Sequence, residues 1–349
     1  MNLPVVPPLP PMEAISVSRI PEEDGWQYEP KWDGFRCLAF RDGEEIYLQS
    51  KAQKPLARYF PDVAAAMLGL GPKRFVVDGE LVIPIGGKLS FEELQLRLHP
   101  AASRVAKLAA AHPARMILFD LLVGERGASL LDMPLETRRA RLEAFAAKHL
   151  AGSRSILLSP ASRAIEAGRA WFSGAGGNLD GVVAKRLDAP YRAGERDAVV
   201  KVKLLRTADC VVGGFRWHRK GTEIGSLLLG LYADDGLLHH VGYTSSLTNE
   251  ERRALSPKLM ALHGPPGFTG GGPGGPSRWS RDRESDEWEP VRPELVVEVR
   301  YDHFTGGRFR HGTQLLRWRP DKAPEQCTFE QVARPGAALS ALLRGSSAG

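Results

Sequence analysis

Between Trp26 and Lys203, short apolar runs alternate with stretches whose apolar residues recur every three or four positions. The first pattern suits buried or half-buried strands, the second amphipathic helices. Trp26-Gln27-Tyr28 and Cys37-Leu38-Ala39-Phe40 read as strands on either side of a bend, and Asp42-Gly43 as a turn from which Ile46 to Gln49 returns. Pro61-Asp62 opens a helix to about Leu70, stopped by Gly71-Pro72. Phe75-Val76-Val77 reads as a short strand ending in a turn at Asp78-Gly79-Glu80, which Leu81 to Pro84 leaves. Ser90 and Glu93 have capping-box spacing for a helix to about Leu98, and a second helix covers Ala101 to Ala111. Met116 to Leu122 is an apolar run broken by one acid, hence a central strand. Leu135 to His149 and Ala161 to Phe172 are helical, Ile156 to Leu158, Asp180 to Lys185 and Ala198 to Val202 strand-like.

Near residue 205 the helical period nearly disappears. Cys210–Phe215, Ser226–Tyr232, Leu237–Tyr243 and Leu295–Tyr301 are short β-rich pieces, and Asn249 to His263 is one helical insert opened by Thr248 and Glu251. That pattern predicts a small β-barrel, with the oligonucleotide-binding (OB) barrel as the leading candidate. The expected fold class is α+β: a mixed or antiparallel-sheet domain over 1–204 with a Pro-rich N-terminal arm, an OB-fold β-barrel over 205–328, and a tail over 329–349.

Composition narrows the class modestly. With 43% hydrophobic and 25% charged residues the chain reads as an ordinary globular protein. A net charge of +6 favours a polyanionic partner, nucleic acid before membrane. Three well-separated cysteines, Cys37, Cys210 and Cys327, argue against a zinc site or disulfide framework and for a reducing cytoplasm. No apolar run is long enough to span a membrane, and the start has no signal-peptide pattern.

The candidate chemistry begins at Glu29-Pro30-Lys31-Trp32-Asp33-Gly34-Phe35-Arg36. Lys31 sits at a bend, with a glycine that permits close backbone approach and an arginine suited to phosphate or ribose oxygens. Such an amine can attack phosphorus if cations or desolvation favour its neutral form; the alternative is a surface lysine at a hairpin. Asp78 and Glu80 share one side of a strand, either as solvated carboxylates or as a ribose acceptor and metal ligand. Phe119 is either core or a ring stacked on a purine. Asp180 is a turn aspartate or a metal ligand. Lys201 and Lys203 point to one face, where two like charges call for an anion. Phe215-Arg216-Trp217-His218-Arg219-Lys220 mixes bases with aromatics, as an edge strand or a phosphate-backbone contact would. Arg317 to Lys322 is a cation-rich segment expected to be exposed near the end of the second domain.

In order and separation, these segments resemble the nucleotidyltransferase motifs of the ATP-dependent DNA ligase and mRNA-capping superfamily. Lys31-x-Asp33-Gly34-x-Arg36 is similar to motif I, Ser50-Lys51 to motif Ia, Asp78-Gly79-Glu80 to motif III and Phe119-Asp120 to motif IIIa. Asp180 to Lys185 is similar to motif IV, Lys201-Val202-Lys203 to motif V and Arg319-Pro320-Asp321-Lys322 to motif VI. The resemblance runs from about residue 15 to 328, and the phrase Gly225 to Gly230 is closest to compact bacterial type C ligases. Two departures stand out: Asp180 replaces the usual Glu of motif IV, and Lys51 an Arg common in motif Ia.

The resemblance implies a DNA ligase in which Lys31 carries AMP from ATP to the 5′-phosphate of a nick. It implies that Glu29 and Phe119 hold adenine, Arg36 and Glu80 the ribose, Lys201 and Lys203 the AMP phosphate, and Glu80 and Asp180 magnesium or manganese. Arg319 and Lys322 would assist pyrophosphate release once the barrel closes about a hinge near Leu204-Leu205-Arg206. Lys51, Arg216, Arg219 and Lys220 would contact DNA phosphates. The expected partners are ATP and nicked duplex DNA, with repair enzymes acting in trans and the ligase itself a monomer in the cytoplasm or nucleoid. Alternatives at this stage are a capping-type guanylyltransferase, an RNA ligase and a non-catalytic DNA-binding protein. An NAD-dependent ligase fits poorly, since only thirty residues precede Lys31 and the cysteines of its zinc module are missing.

Overall fold

The computed structural model describes every residue except 176–177, 219–222, 274–286, 334–341 and 343–349. The chain divides into two compact units, Met1–Leu204 with Pro335–Gly349, and Leu205–Arg334.

The first unit is built on two sheets. One contains β2 (Trp26–Trp32), joined by β1 (Ile15–Ser16), β10 (Leu179–Arg186) and β11 (Val199–Lys203) in the order β1-β11-β10-β2. The other runs β4-β3-β5-β8-β9, with β3 over Phe35–Asp42, β4 over Glu45–Ser50, β5 over Arg74–Val82, β8 over Arg115–Val123 and β9 over Ile156–Leu158. Pairing is antiparallel except β1 with β11 and β8 with β9, which makes both sheets mixed. A small hairpin, β6 (Pro84–Ile85) and β7 (Lys88–Leu89), follows β5. The helices are α1 (Pro61–Leu68), α2 (Phe91–Arg97), α3 (Ala102–Ala111), α4 (Leu135–His149) and α5 (Ile165–Ser173).

The alternation of the strands decides where each face goes. Cys37, Ala39, Val77 and Leu81 pack with Val63 and Met67 of α1 and Leu142 and Phe145 of α4. The opposite face of the same strands, Leu38, Phe40, Val76 and Leu122, meets Tyr191 and Val199 together with Leu3, Val5 and Met12. The Pro-rich start is thus an extended segment that contributes to the core. The Gln49 side chain fixes it by accepting from the Leu9 N–H at 2.9 Å and donating to the Leu9 carbonyl at 2.6 Å.

Two local expectations are corrected. Asp78-Gly79-Glu80 is no turn but the middle of the nine-residue β5. Gly79 is there because a Cβ would lie 2.6 Å from the Ile117 carbonyl oxygen, where β5 and β8 shift register. Lys31 lies within β2, and the bend comes after it, at Asp33-Gly34. A Cβ on Gly34 would meet the Leu81 carbonyl oxygen at 2.2 Å, so the close approach expected of this glycine is realised against β5.

The second unit is a sheet in the order β14-β13-β12-β16-β19, with β15 (Glu289–Pro290) also on β12. Its strands are β12 (Arg206–Trp217), β13 (Ile224–Tyr232), β14 (Leu238–Thr244), β16 (Val296–Tyr301) and β19 (Gln314–Trp318). The small hairpin β17 (Phe304–Thr305) and β18 (Arg308–Phe309) lies between the last two. A bridge from Thr244, at the end of β14, to Thr313, just before β19, brings the two edges of the sheet together. The helix α6 (Asn249–Ala261) opens with the expected capping box between Thr248 and Glu251, and sets Leu255 and Leu259 into this unit's core. β19 was not expected as a strand, because its apolar residues are interrupted by charge.

Candidate active site

Register explains how distant residues reach one pocket. Within the first sheet Lys31 pairs with Gly181, which pairs with Lys203. Glu29 pairs with Val183, which pairs with Lys201, and Gln27 pairs with Lys185. Since cross-strand neighbours share a face, Glu29, Lys31, Lys185, Lys201 and Lys203 stand side by side. On the second sheet Arg36 pairs with Glu80, and Phe119 belongs to the next strand. Glu29, Lys31, Arg36, Lys51, Glu80, Phe119, Lys185 and Lys201 line a single pocket, whose wall also includes Met12, Glu13 and Tyr191.

Charge within the pocket is nearly all engaged. Asp180 forms ion pairs with Lys31 and, at 3.4 Å, with Lys203. The buried Glu29 accepts from the Gln27 amide at 2.8 Å and pairs with Lys185 at 2.8 Å. Phe119 faces cations, with the Arg36 guanidinium 5.1 Å and the Lys185 amine 4.5 Å from the ring centre. Lys51 is paired with Glu13 at 3.3 Å, and Glu13 also meets Arg196 at 2.9 Å. Partial burial, then proximity to Lys31, Lys51 and Lys203, lowers the pKa of Lys201. That convergence of ammonium groups suits a polyanion.

Arg36 is held by Asp78 through two hydrogen bonds, Nε to Oδ1 at 2.9 Å and Nη2 to Oδ2 at 2.6 Å. Burial opposes its charge, but Asp78, with Tyr191 and Glu80 adding to it, outweighs burial and raises its pKa. Asp120, next to Phe119, is buried and bound at both oxygens by Arg138, at 2.9 and 3.0 Å. It therefore anchors α4 to β8, and removing one partner of such a buried pair costs about 3–5 kcal/mol.

Burial pushes the Glu80 carboxyl up to about 8, against the pull of Lys31 and Arg36 and with the help of Asp33 and Asp78. A raised carboxyl pKa means that the fold prefers the protonated form, so ionisation between the ordinary value of 4.5 and about 8 removes stability as pH rises. Glu80→Gln never ionises. Its melting temperature, without nucleotide or metal, is expected to gain on wild type by a few degrees as pH is raised through that window. An offset that is the same at both ends of the window would refute this.

In the second unit Arg216 lies near the end of β12, beside a Trp217 ring that is 39% exposed and packs edge-on against Phe215 at 4.9 Å. Arg219 and Lys220 lie outside the described residues. The segment from Arg317 to Lys322 is exposed only in part, and Arg319 and Lys322 are among its half-buried members. Both converge on Asp209: Arg319 Nη1 donates to its oxygens at 2.9 and 3.1 Å, and Lys322 Nζ donates at 2.7 Å. Of that segment Arg317, Pro320 and Asp321 are exposed, with Arg317 on Glu298 at 2.6 Å.

Comparison with known proteins identifies the scaffold. The profile of the ATP dependent DNA ligase domain matches residues 11–203, and that of the ATP dependent DNA ligase C terminal region matches 220–322. The chain belongs to the ATP-dependent DNA ligase family. It is 47% identical to DNA ligase C2 of Mycolicibacterium smegmatis, over 96% of this chain and 97% of that protein. It is 44% identical to DNA ligase C of Mycobacterium tuberculosis, over 96% of each. These likenesses support its place among the compact bacterial type C ligases. A solved Lig E DNA ligase shares the fold with a TM-score of 0.53 at 17% identity, covering 88% of this chain and 100% of that one.

The ligase pocket includes residues to which sequence reasoning gave no role. Lys185 was legible from alternation, since Gly181, Val183 and Lys185 must share a face. Outside that pocket, in the second unit, Asp209 was visible only as an acid ahead of the apolar Cys210 to Phe215. Met12, Glu13 and Tyr191 carried no local signal. Among the described residues no three carboxylate, imidazole or thiol groups cluster as a metal site. A magnesium ion completed by nucleotide phosphates needs only one or two protein carboxylates, and Glu80 offers one on the pocket wall. Glu80, whose surroundings disfavour its ionisation, is suited to a cation.

Proposed function

We propose that this ligase seals nicks in duplex DNA with ATP, through a lysyl-AMP on Lys31 and a DNA-adenylate. The observation that carries this is the convergence of Lys31, Lys51, Lys201 and Lys203 beside Phe119 and Glu29, within a chain of this family. Lys31 Nζ attacks the α-phosphorus of ATP and the bond to pyrophosphate breaks. The 5′-phosphate of the nick then takes the AMP, and the adjacent 3′-hydroxyl displaces AMP to form the phosphodiester. Lys201 and Lys203 neutralise the AMP phosphate, a contribution of positioning and charge compensation. Phe119 stacks on adenine with Glu29 at its edge, while Arg36 and Glu80 meet the ribose. Glu80 and Asp180 hold magnesium or manganese, which when bound supplies charge neutralisation for the phosphates.

Lys51 and Arg216 contact DNA phosphates, as do Arg219 and Lys220. Arg319 and Lys322 act on the leaving pyrophosphate. The N-terminal domain over 1–204 binds the nucleotide, the second over 205–328 binds DNA, and 329–349 is a tail. The ligase works as a monomer in the cytoplasm, in DNA repair, with other repair enzymes supplied in trans. No described helix is long and apolar enough to cross a membrane.

The test is sealing of a nicked duplex with ATP, with DNA and RNA strands exchanged on each side, and covalent labelling by ATP against GTP. Sealing of the all-DNA nick and labelling by ATP alone are expected. Preference for an RNA nick, or labelling by GTP, would defeat the proposal.

A further inference from the structure

Tyr191 lies between β10 and β11, outside every segment to which a role was given. It is buried, at 5% exposure, in the core between the two sheets, with the Arg138 guanidinium 5.7 Å from its ring centre. Its hydroxyl donates to Asp78 Oδ2 at 2.7 Å and accepts from the Met12 backbone N–H at 3.1 Å. The Met12 N–H occupies the acceptor side of the phenol, so the phenolic proton is directed at Asp78. Asp78 is fully buried and accepts from three donors, the Tyr191 hydroxyl and Nε and Nη2 of Arg36. Nη1 of Arg36 is the guanidinium nitrogen that Asp78 does not engage.

We infer that Tyr191 is a positioning residue for ribose recognition: it fixes the Asp78 carboxylate, and through it the orientation of Arg36 beside Phe119. This rests on the reading that Arg36 meets the ribose. A carboxylate held by Arg36 alone can rotate about its Cβ–Cγ bond and carry the guanidinium with it. A third donor, itself anchored to the backbone of the N-terminal arm, removes that freedom. The same chain of bonds makes the arm part of the pocket, since Met12 reaches Arg36 through two hydrogen-bonded groups. Loss of a hydrogen bond to a charged acceptor changes affinity by about tenfold or more.

The experiment uses the full-length wild-type ligase, Tyr191→Phe and Arg36→Lys. Self-adenylation is measured over a range of ATP and of 2′,3′-dideoxyATP, which lacks both ribose hydroxyls. Tyr191→Phe is expected to raise the KM for ATP about tenfold. Its kcat at saturating nucleotide should stay within about twofold, and its KM for the dideoxy analogue should hardly change. Preference for ATP over the analogue then falls towards that of Arg36→Lys. Its melting temperature stays within a few degrees of wild type. If Arg36→Lys loses the preference but Tyr191→Phe keeps it, or weakens both nucleotides by one factor, the positioning role is overturned. If Arg36→Lys itself keeps the preference, the ribose reading fails and the inference falls with it.

Discussion

Lys31→Ala should abolish labelling of the protein by ATP carrying a radioactive α-phosphate, and with it sealing of a nick from ATP. No other amine substitutes for it in the proposed reaction, because the nucleophile must sit in line with the departing pyrophosphate and neighbouring lysines are spent on charge compensation. Loss of labelling by a factor of at least about 10³ is the expected scale for removing a nucleophile. Misfolding does not explain such a result. Lys31 lies within a strand held by its pairing to β10, and Asp180 keeps Lys203 as a partner at 3.4 Å. Lys31→Arg sharpens the point: it retains a cation opposite Asp180, but a guanidinium stays protonated and cannot attack. Both variants should still seal a nick already carrying AMP on its 5′-phosphate, since that step does not use the amine. Labelling that survives in either variant would place the adenylation elsewhere.

Lys322→Ala should slow self-adenylation by about 10²-fold while leaving sealing of a pre-adenylated nick within a few-fold of wild type. Pyrophosphate leaves only in the first step, so a cation that serves it matters there and not in the last. The geometry adds a constraint. Arg319 and Lys322 share the buried Asp209 carboxylate, with Lys322 at 2.7 Å and Arg319 bound to both oxygens. Arg319 also keeps Asp321 at 2.9 Å, and Asp321 lies well below its ordinary value because Arg319 hydrogen-bonds it. Removing Lys322 therefore leaves Asp209 still paired, and the second unit should melt as before. Equal losses in the two assays would show that Lys322 does not serve the leaving group.

Several features were legible before any coordinates. The Thr248–Glu251 capping box was expected from spacing, and it forms. Asp78 and Glu80 were expected on one side at a strand's exit, and Lys201 and Lys203 on one face by alternation; the β5 and β11 strands place both pairs so. The misreadings have a common origin. Asp78-Gly79-Glu80 looked like a turn because Asp-Gly is a turn dipeptide. In fact the glycine answers a crowding by Ile117 that no local rule contains. The segment around Arg319 looked exposed because cation-rich segments usually are; Arg317, Pro320 and Asp321 are, but Arg319 is drawn in by an acid 110 residues earlier.

By itself, the sequence determined the inventory and order of the chemistry. It placed a lysine before Asp-Gly, carboxylates and a phenylalanine on strands, and a lysine pair at period two, because side-chain direction along a strand follows from backbone geometry alone. Only the tertiary structure decided what those groups touch. Lys31 stands opposite Asp180, 149 residues on, and Tyr191 reaches Asp78 across 113 residues. Such contacts follow from which strands pair and in what register, and that is settled by burial of whole faces against one another rather than by any local preference. The reactive lysine was therefore visible in one dimension, and the carboxylates and phenol that hold its pocket in shape only in three.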